Sequence, residues 1–127
     1  MEEASKYLDL QSRRATVYFL WRRALSEYEI SGTGSEFLAA IEEVTQLLRN
    51  VRVEAQGVCE EMIEGQAVAR RIEALEEQHL REMVQYQQAK VQGLEVSLAA
   101  VQAVEELISD LMLELQPEVP ADETSVT

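Results

Sequence analysis

The residues of this chain that could carry out chemistry are few and far apart. Among 127 residues there is one histidine, His79, and one cysteine, Cys59. A structural zinc site needs four closely spaced His or Cys ligands, and the chain has no such set. The carboxylates of Glu60 and Glu61 beside Cys59 would raise the pKa of its thiol, which is the opposite of what a nucleophile needs. We therefore predict no metal site and no catalytic cysteine, with His79 at the surface or boundary and Cys59 a packing residue.

Paired acidic residues are the other candidate for acid–base chemistry. They occur at Glu42-Glu43, Glu60-Glu61, Glu76-Glu77 and Glu105-Glu106. Adjacent residues on a helix point about 100° apart and do not face each other. The chain also has no glycine-rich phosphate loop, nucleophile elbow or Cys-X-X-Cys motif. We expect no catalytic residue, no cofactor and no enzymatic activity, unless an active-site cluster forms only in three dimensions.

Four arginines between Leu10 and Leu25 are the only feature that suggests nucleic-acid binding. They are Arg13, Arg14, Arg22 and Arg23, and aromatic residues lie among them. At about 100° per residue the four spread around a helix, whereas a helix that reads DNA concentrates its cations on one side. We predict that these arginines pair with glutamates and that direct DNA binding is disfavoured. A candidate protein-interaction surface remains on this segment: Tyr18, Phe19, Trp21, Arg22 and Arg23.

The negative charge of the chain is concentrated in its C-terminal third. The formal net charge is −13, and residues 91–127 contain eight acidic residues and no Lys or Arg. Such a surface repels phosphate backbones and favours basic partners. The simpler interpretation is a solvated helix face followed by an acidic tail.

The clearest pattern in the chain is a seam of apolar residues at alternating spacings of four and three. A period near 3.5 keeps these side chains on one stripe of a helix that packs against another helix. The seam consists of Phe37, Ile41, Val44, Leu48, Val51, Ala55, Val58 and Met62. Burying this stripe does not offset the backbone entropy of ordering about 30 residues at roughly 1–2 kcal/mol each, so the helix needs partner helices.

Similar spacings and a few breaks divide the chain into four predicted helices. We place them at about 6–29, 34–64, 66–89 and 91–115. Thr33 and Glu36 have the spacing of a capping box at the start of the second helix. Gly65 is the preferred turn before the third helix. The boundary near Gly93 could equally be a continuous helix.

The predicted fold is all-α: an antiparallel bundle or coiled coil of three to four helices in one domain, residues 1–115. Residues 116–127 have two prolines and no periodicity, which predicts a short disordered acidic tail. No apolar run reaches the roughly 20 residues of a membrane span, and the acidic N-terminus is unlike a secretory signal. We expect an intracellular protein, with self-association through the seam left open.

Several stretches of the chain resemble the required-for-excision 1-B DNA-repair family, over about residues 13 to 115. The resemblance begins with Arg14-Ala-Thr-Val-Tyr-Phe-Leu, Glu27-Tyr28 and the turn Ser31-Gly32. It continues through Phe37, Ile41-Glu-Glu-Val-Thr-Gln46, Val51 to Glu54 and Val58 to Ile63. The third segment, Ile72-Glu-Ala-Leu-Glu-Glu-Gln-His-Leu, and the closing helix, Val101-Gln-Ala-Val-Glu-Glu-Leu-Ile-Ser-Asp-Leu, are also similar. The chain departs from the family pattern in having little or no loop around residues 87–93.

The resemblance implies a small helical domain with an accessory role in the excision of damaged DNA. It supplies no catalytic residues. It implies protein partners, specifically other repair factors, and a nuclear location, with the cytoplasm as the alternative. The second hypothesis, from a different class, is a structural coiled-coil subunit of a trafficking or spindle-type complex, which needs the same seam and the same acidic faces.

Overall fold

In a computed structural model, which describes residues 2–116, the chain forms four α-helices. They are α1 (Glu2–Ser31), α2 (Gly34–Glu61), α3 (Gln66–Val91) and α4 (Ala99–Leu115). The predicted all-α bundle is therefore confirmed. The predicted tail lies, apart from Gln116, outside the described residues.

The helices run alternately up and down and form two hairpins. The rings of Tyr28 and Phe37 lie 4.7 Å apart beside the first turn, and Arg13 pairs with Glu54 farther along, so α1 and α2 are antiparallel. The α1–α2 and α3–α4 pairs are packed most extensively, while α2 and α4 make no close contact along the described chain. α1 and α3 therefore lie at the centre, and α2 and α4 flank them.

Several predicted helix ends differ from the observed ones, and the first helix begins at Glu2, not at residue 6. The second helix ends at Glu61, not at residue 64, because the backbone of Met62 is extended. The capping box is also wrong, since Thr33 caps α2 without a side-chain hydrogen bond. Gly65, by contrast, has φ 77° and caps α3, which confirms the turn predicted there.

The largest correction concerns the start of the fourth helix. We predicted a helix from residue 91 and little or no loop, but residues 92–98 connect α3 to α4. Gly93 has φ 76°, a left-handed conformation that ends α3 and that other residues adopt only with strain. The Oγ of Ser97 then accepts a hydrogen bond from the Ala99 backbone N–H at 3.0 Å as α4 begins. Leu94 and Leu98 fit a helical spacing with Val101, which made a continuous helix look plausible.

The core consists of two separate apolar clusters. The lower cluster, at the end that carries the N-terminus, comprises Ala4, Tyr7, Leu10, Val51, Ala55, Cys59, Met62, Ala69, Ile72, Val104, Ile108, Leu111 and Leu115. The upper cluster, toward the α1–α2 turn, comprises Val17, Tyr18, Trp21, Leu25, Val44, Met83 and Val101. Between them lie buried polar and charged side chains.

The seam of α2 contributes to both clusters. Val44, Val51, Ala55 and Met62 are buried, and the other four members, Phe37, Ile41, Leu48 and Val58, are half-buried and packed against the clusters. All eight therefore point inward within one chain. This helix finds its partners in the same chain.

Candidate functional site

The feature that most resembles a site is a layer of buried polar side chains between the two apolar clusters. We call it the polar layer: Gln11 and Arg14 from α1, Glu73, Glu76 and His79 from α3, and Glu105 from α4. Gln11, Arg14, Glu76 and His79 are the buried polar or charged residues of the described chain. Buried charges are expensive unless they are paired and hydrogen-bonded, so the layer must be understood through its partners.

Arg14 joins α1 to α3. Its Nη2 donates to both carboxylate oxygens of Glu73, at 3.0 and 3.2 Å, and its Nη1 lies 3.9 Å from Glu76 Oε2. The Arg14 residue is only 4% exposed. Both of these hydrogen bonds come from the same guanidinium nitrogen, and Nε of Arg14 is buried with no hydrogen-bond partner among residues 2–116. Gln11 adds a second link, because its Nε2 donates to Glu76 Oε2 at 2.8 Å.

His79 joins α3 to α4 and to α1. Its Nδ1 lies 3.0 Å from Glu76 Oε1 and its Nε2 lies 3.0 Å from Glu105 Oε2. Its ring also stacks on the ring of Tyr18, with centroids 3.7 Å apart. Each ring nitrogen of His79 therefore faces a carboxylate oxygen, one on its own helix and one on α4.

The prediction of a surface or boundary histidine is therefore wrong, since His79 is 4% exposed. The spacing of residues along α3 could have indicated that this histidine is buried. Ala69, Ile72, Glu76, His79 and Met83 are the buried residues of α3 and follow each other at intervals of three and four. Because two of the five are polar, a search for apolar residues alone could not recognise the stripe.

Two tyrosines border the polar layer. The Tyr7 hydroxyl, from the lower cluster, donates to Glu73, and Tyr18, from the upper cluster, covers His79. Burial raises the pKa of Tyr7 above its ordinary value, and the negative charge of Glu73 raises it further. Burial likewise raises the pKa of Tyr18, with a smaller contribution from Glu76. Both phenols are thus held in the neutral form.

All four arginines of the first helix pair with glutamates, which confirms that prediction. Arg13 pairs with Glu54, Arg14 with Glu73 and Glu76, Arg22 with Glu105, and Arg23 with Glu27. The pair between Arg22 and Glu105 ties α1 to α4. The pairs of Arg14 and Arg22 lie largely within the bundle, whereas those of Arg13 and Arg23 are exposed at its surface.

The candidate interaction surface on α1 does not form one surface. Tyr18 and Trp21 are buried, and the Trp21 indole donates to Gln87 Oε1 on α3 at 2.6 Å. Arg22 is partly buried in its ion pair, whereas Phe19 and Arg23 are exposed. The two buried aromatics lie on the inward stripe of α1, so a partner cannot reach them in the folded bundle.

Cys59 is buried in the lower cluster, in agreement with a packing role. Burial raises the pKa of its thiol, and the negative charge of Glu73 adds to the increase. A thiol with a raised pKa is a poor nucleophile at neutral pH.

A cleft between α2 and α3 leads from solvent to the polar layer. Its lining consists of Arg14, Tyr18, Leu48, Arg52, Gln56, Glu73, Glu76, Glu77 and Leu80. At its edge Arg52 pairs with Glu77 across the two helices at 3.3 Å. The charged side chains of this cleft therefore bind mainly each other. Among residues 2–116, no group of three or more His, Cys, Asp or Glu side chains is arranged to hold a metal ion.

Comparison with known proteins identifies a family. A family model described as DNA repair REX1-B matches residues 2–90 of the chain, which is more than half its length. The match includes α1, α2 and nearly all of α3, and it ends before α4, so the similarity noted above for residues 101–111 lies outside it. No curated protein and no solved structure matches the chain. Across the part that the structure describes, no helix is long and apolar enough to cross a membrane.

Proposed function

This chain belongs to the DNA repair REX1-B family, and we propose that it serves the excision of damaged DNA as a non-enzymatic adaptor that binds other proteins. The family name connects the chain to DNA repair. The adaptor mechanism is our proposal, and one observation carries it: the charged groups that could do chemistry pair with each other inside the bundle.

The polar layer supports a structural role over a catalytic one. A general acid or base must present a free, correctly placed atom to a substrate. Here the carboxylates of Glu73, Glu76 and Glu105 are engaged by Arg14, Gln11, His79 and Arg22. Apart from the contact of His79 with Glu76 within α3, these contacts join two different helices. The layer therefore stabilises the arrangement of the hairpins, and we assign it that task.

The surface charge supports protein partners over direct contact with DNA. A protein that binds duplex DNA gains most of its affinity from cations that neutralise phosphates. This chain carries a net charge of −13, and the arginines of α1 are paired with glutamates. We therefore propose that other repair proteins make the contact with DNA. Retention of the purified chain on duplex DNA at low salt would contradict this part of the proposal.

The covered seam supports a folded monomer as the acting form. All eight seam residues point into the bundle of a single chain, so they are not available to pair with a second copy. Size-exclusion chromatography with light scattering should give the mass of one chain, 14.4 kDa. A stable dimer would instead favour the structural coiled-coil subunit.

The main test compares cells with and without the gene. Loss of the protein should increase sensitivity to ultraviolet light, because excision removes the lesions that this light creates. Expression of the full chain should restore survival, and tagged chain from irradiated cells should bring down components of the excision machinery. Normal survival of the deletion strain would favour the structural subunit. A fluorescent fusion of the full chain should accumulate in the nucleus if the proposal holds.

A further inference from the structure

The outward side of α4 carries exposed leucines among acidic residues. We call it the α4 outer face: Glu106, Leu107, Asp110, Leu113 and Glu114. Leu107 is 52% exposed and Leu113 is 63% exposed. They lie three residues before and three residues after Asp110, so the helix places one on each side of this carboxylate. The face thus combines apolar contact area with negative charge.

The opposite side of α4 is fully occupied by the bundle. Val101, Val104, Ile108, Leu111 and Leu115 are buried in the two apolar clusters. α4 packs on α3 and touches α1, and it makes no close contact with α2 in the described chain. Nothing in residues 2–116 therefore covers the outer face.

The acids of this face have no positive partner. No Lys or Arg occurs from Val91 to Thr127, and none of the ion pairs of the described residues includes Glu106, Asp110 or Glu114. These three acids follow each other at spacings of four residues, where like charges on a helix repel. Glu114 also lies in the last turn, at the negative end of the helix dipole.

The sequence of α4 thus departs from two rules of helix stability at one surface. Such departures are expected where a sequence serves function as well as folding. Positive charge brought by another molecule would remove both penalties. The two leucines limit what that molecule can be, because free cations in solution would leave them exposed to water.

We propose that the α4 outer face binds a basic amphipathic helix of another protein. Its apolar side chains would pack against Leu107 and Leu113, and its lysines or arginines would lie between the three carboxylates, where opposite charges attract. This inference deepens the adaptor function and depends on it. The face also lies outside residues 2–90, so it is a feature of this chain beyond the part that the family match covers.

The test uses a defined probe, a fluorescein-labelled helical peptide of Leu and Lys with one apolar and one basic side. Fluorescence anisotropy should detect its binding to the full chain. The triple variant Glu106→Gln, Asp110→Asn, Glu114→Gln should weaken binding by about tenfold or more, because it removes the complementary charge. The double variant Leu107→Gln, Leu113→Gln should weaken binding without changing the net charge.

The matched control is Glu42→Gln, Glu43→Gln, Glu60→Gln on α2. These glutamates are exposed and the variant has the same net charge as the α4 triple variant. This control variant should bind the peptide like the parent chain. A peptide of the same composition with scrambled order should bind neither the control variant nor the parent chain. Equal weakening by the two triple variants would mean nonspecific charge attraction and would overturn the proposal. Circular dichroism must show a folded α4 variant, and its melting temperature should rise, because the repulsion within α4 is gone.

Rescue of the deletion strain separates this inference from the function on which it depends. If the parent chain restores ultraviolet resistance and the α4 triple variant restores it equally, the outer face is not the docking surface, while the adaptor role stands. If the deletion strain has normal survival, the repair role fails, and the peptide assay alone decides whether the outer face binds basic helices.

Discussion

The lower apolar cluster and the polar layer are neighbours in one bundle and are stabilised by different physical means. The lower cluster gains its stability from removing apolar surface from water, which needs no particular partner for each side chain. The polar layer places charged groups between the two clusters, largely out of water, where each is tolerated only because a specific partner faces it. The lower cluster should lose stability gradually as contacts are removed. The polar layer should lose stability sharply whenever one partner is removed. The following experiments test this difference.

The largest effect should come from removing the cation of the polar layer. Arg14→Met leaves the buried Glu76 and the partly buried Glu73 without their arginine partner, and we expect a loss of about 3–5 kcal/mol in the free energy of unfolding. Urea denaturation followed by circular dichroism measures this loss. Its neighbour Arg13 provides the control, because the side chain of Arg13 is 56% exposed in its ion pair with Glu54. Arg13→Met should cost less than about 1 kcal/mol.

If the two arginine variants lose similar stability, the polar layer does not depend on specific partners. The double variant Arg14→Met, Glu73→Met sharpens the result. It should recover part of the loss, since replacing both members of a buried pair by apolar groups is often nearly neutral.

Substitution of a glycine at the edge of the lower cluster should give the second largest loss of stability. Gly65 has φ 77°, and a Cβ on it would lie 2.6 Å from Cδ2 of Leu115. Gly65→Ala should therefore lower the free energy of unfolding by about 1–3 kcal/mol through backbone strain and displacement of that leucine. Thermal denaturation gives the measurement.

Gly57 serves as its matched control, because it lies inside α2 with nothing within 4 Å of a Cβ. Gly57→Ala should stabilise the protein by about 0.5–1 kcal/mol, the usual preference for Ala over Gly in a helix. Destabilisation by both substitutions would show that the close approach at Gly65 is not the cause.

Alkaline pH should destabilise the protein through the two tyrosines that border the polar layer. The pKa values of Tyr7 and Tyr18 are raised in the folded state, so the unfolded chain loses these protons first. Their contribution to stability is complete below the ordinary tyrosine pKa near 10 and decreases as the pH rises above it, by at most about 1.4 kcal/mol per pH unit for each group. Absorbance at phenolate wavelengths, recorded with circular dichroism, should show these two tyrosines ionising together with loss of helix. Ionisation of all four tyrosines with the helices intact would contradict this.

The smallest effects should distinguish the two tyrosine hydroxyls. Tyr7→Phe removes the donor to Glu73 and should cost about 1–2 kcal/mol. Tyr18 stacks on His79 through its ring, which phenylalanine keeps, so Tyr18→Phe should cost less than Tyr7→Phe. Equal losses, measured by urea denaturation, would indicate that the hydroxyl bond to Glu73 adds nothing.

The sequence predicted the parts of the molecule that depend on periodic apolar residues. The four helices, the inward stripe of α2 and the turn at Gly65 follow from spacing and from glycine. The pairing of the α1 arginines with glutamates followed from their spread around the helix. The helices, the stripe and the turn are local features that each segment indicates by itself, whereas the glutamate partners on other helices follow only from the fold.

The polar layer could not be predicted in the same way. Glu73, Glu76 and His79 lie about 60 residues or more from their partners on α1, and only the packing of two hairpins brings them together. Tyr18 and Trp21 look like a surface motif in isolation, and their burial follows from what α3 places opposite them. The predicted start of α4 was wrong for a different reason, because Leu94 and Leu98 continue the helical spacing through a loop.

The hydrogen bond from Trp21 to Gln87 allows tryptophan fluorescence to report on the packing of the two hairpins. The chain has one tryptophan, and it is buried where the first hairpin meets the second. Separation of the hairpins would expose the indole to water and shift its emission to longer wavelengths, even while each helix remained formed. Emission of this tryptophan recorded together with circular dichroism therefore distinguishes an opened bundle, in which only the emission changes, from a melted one, in which both signals change.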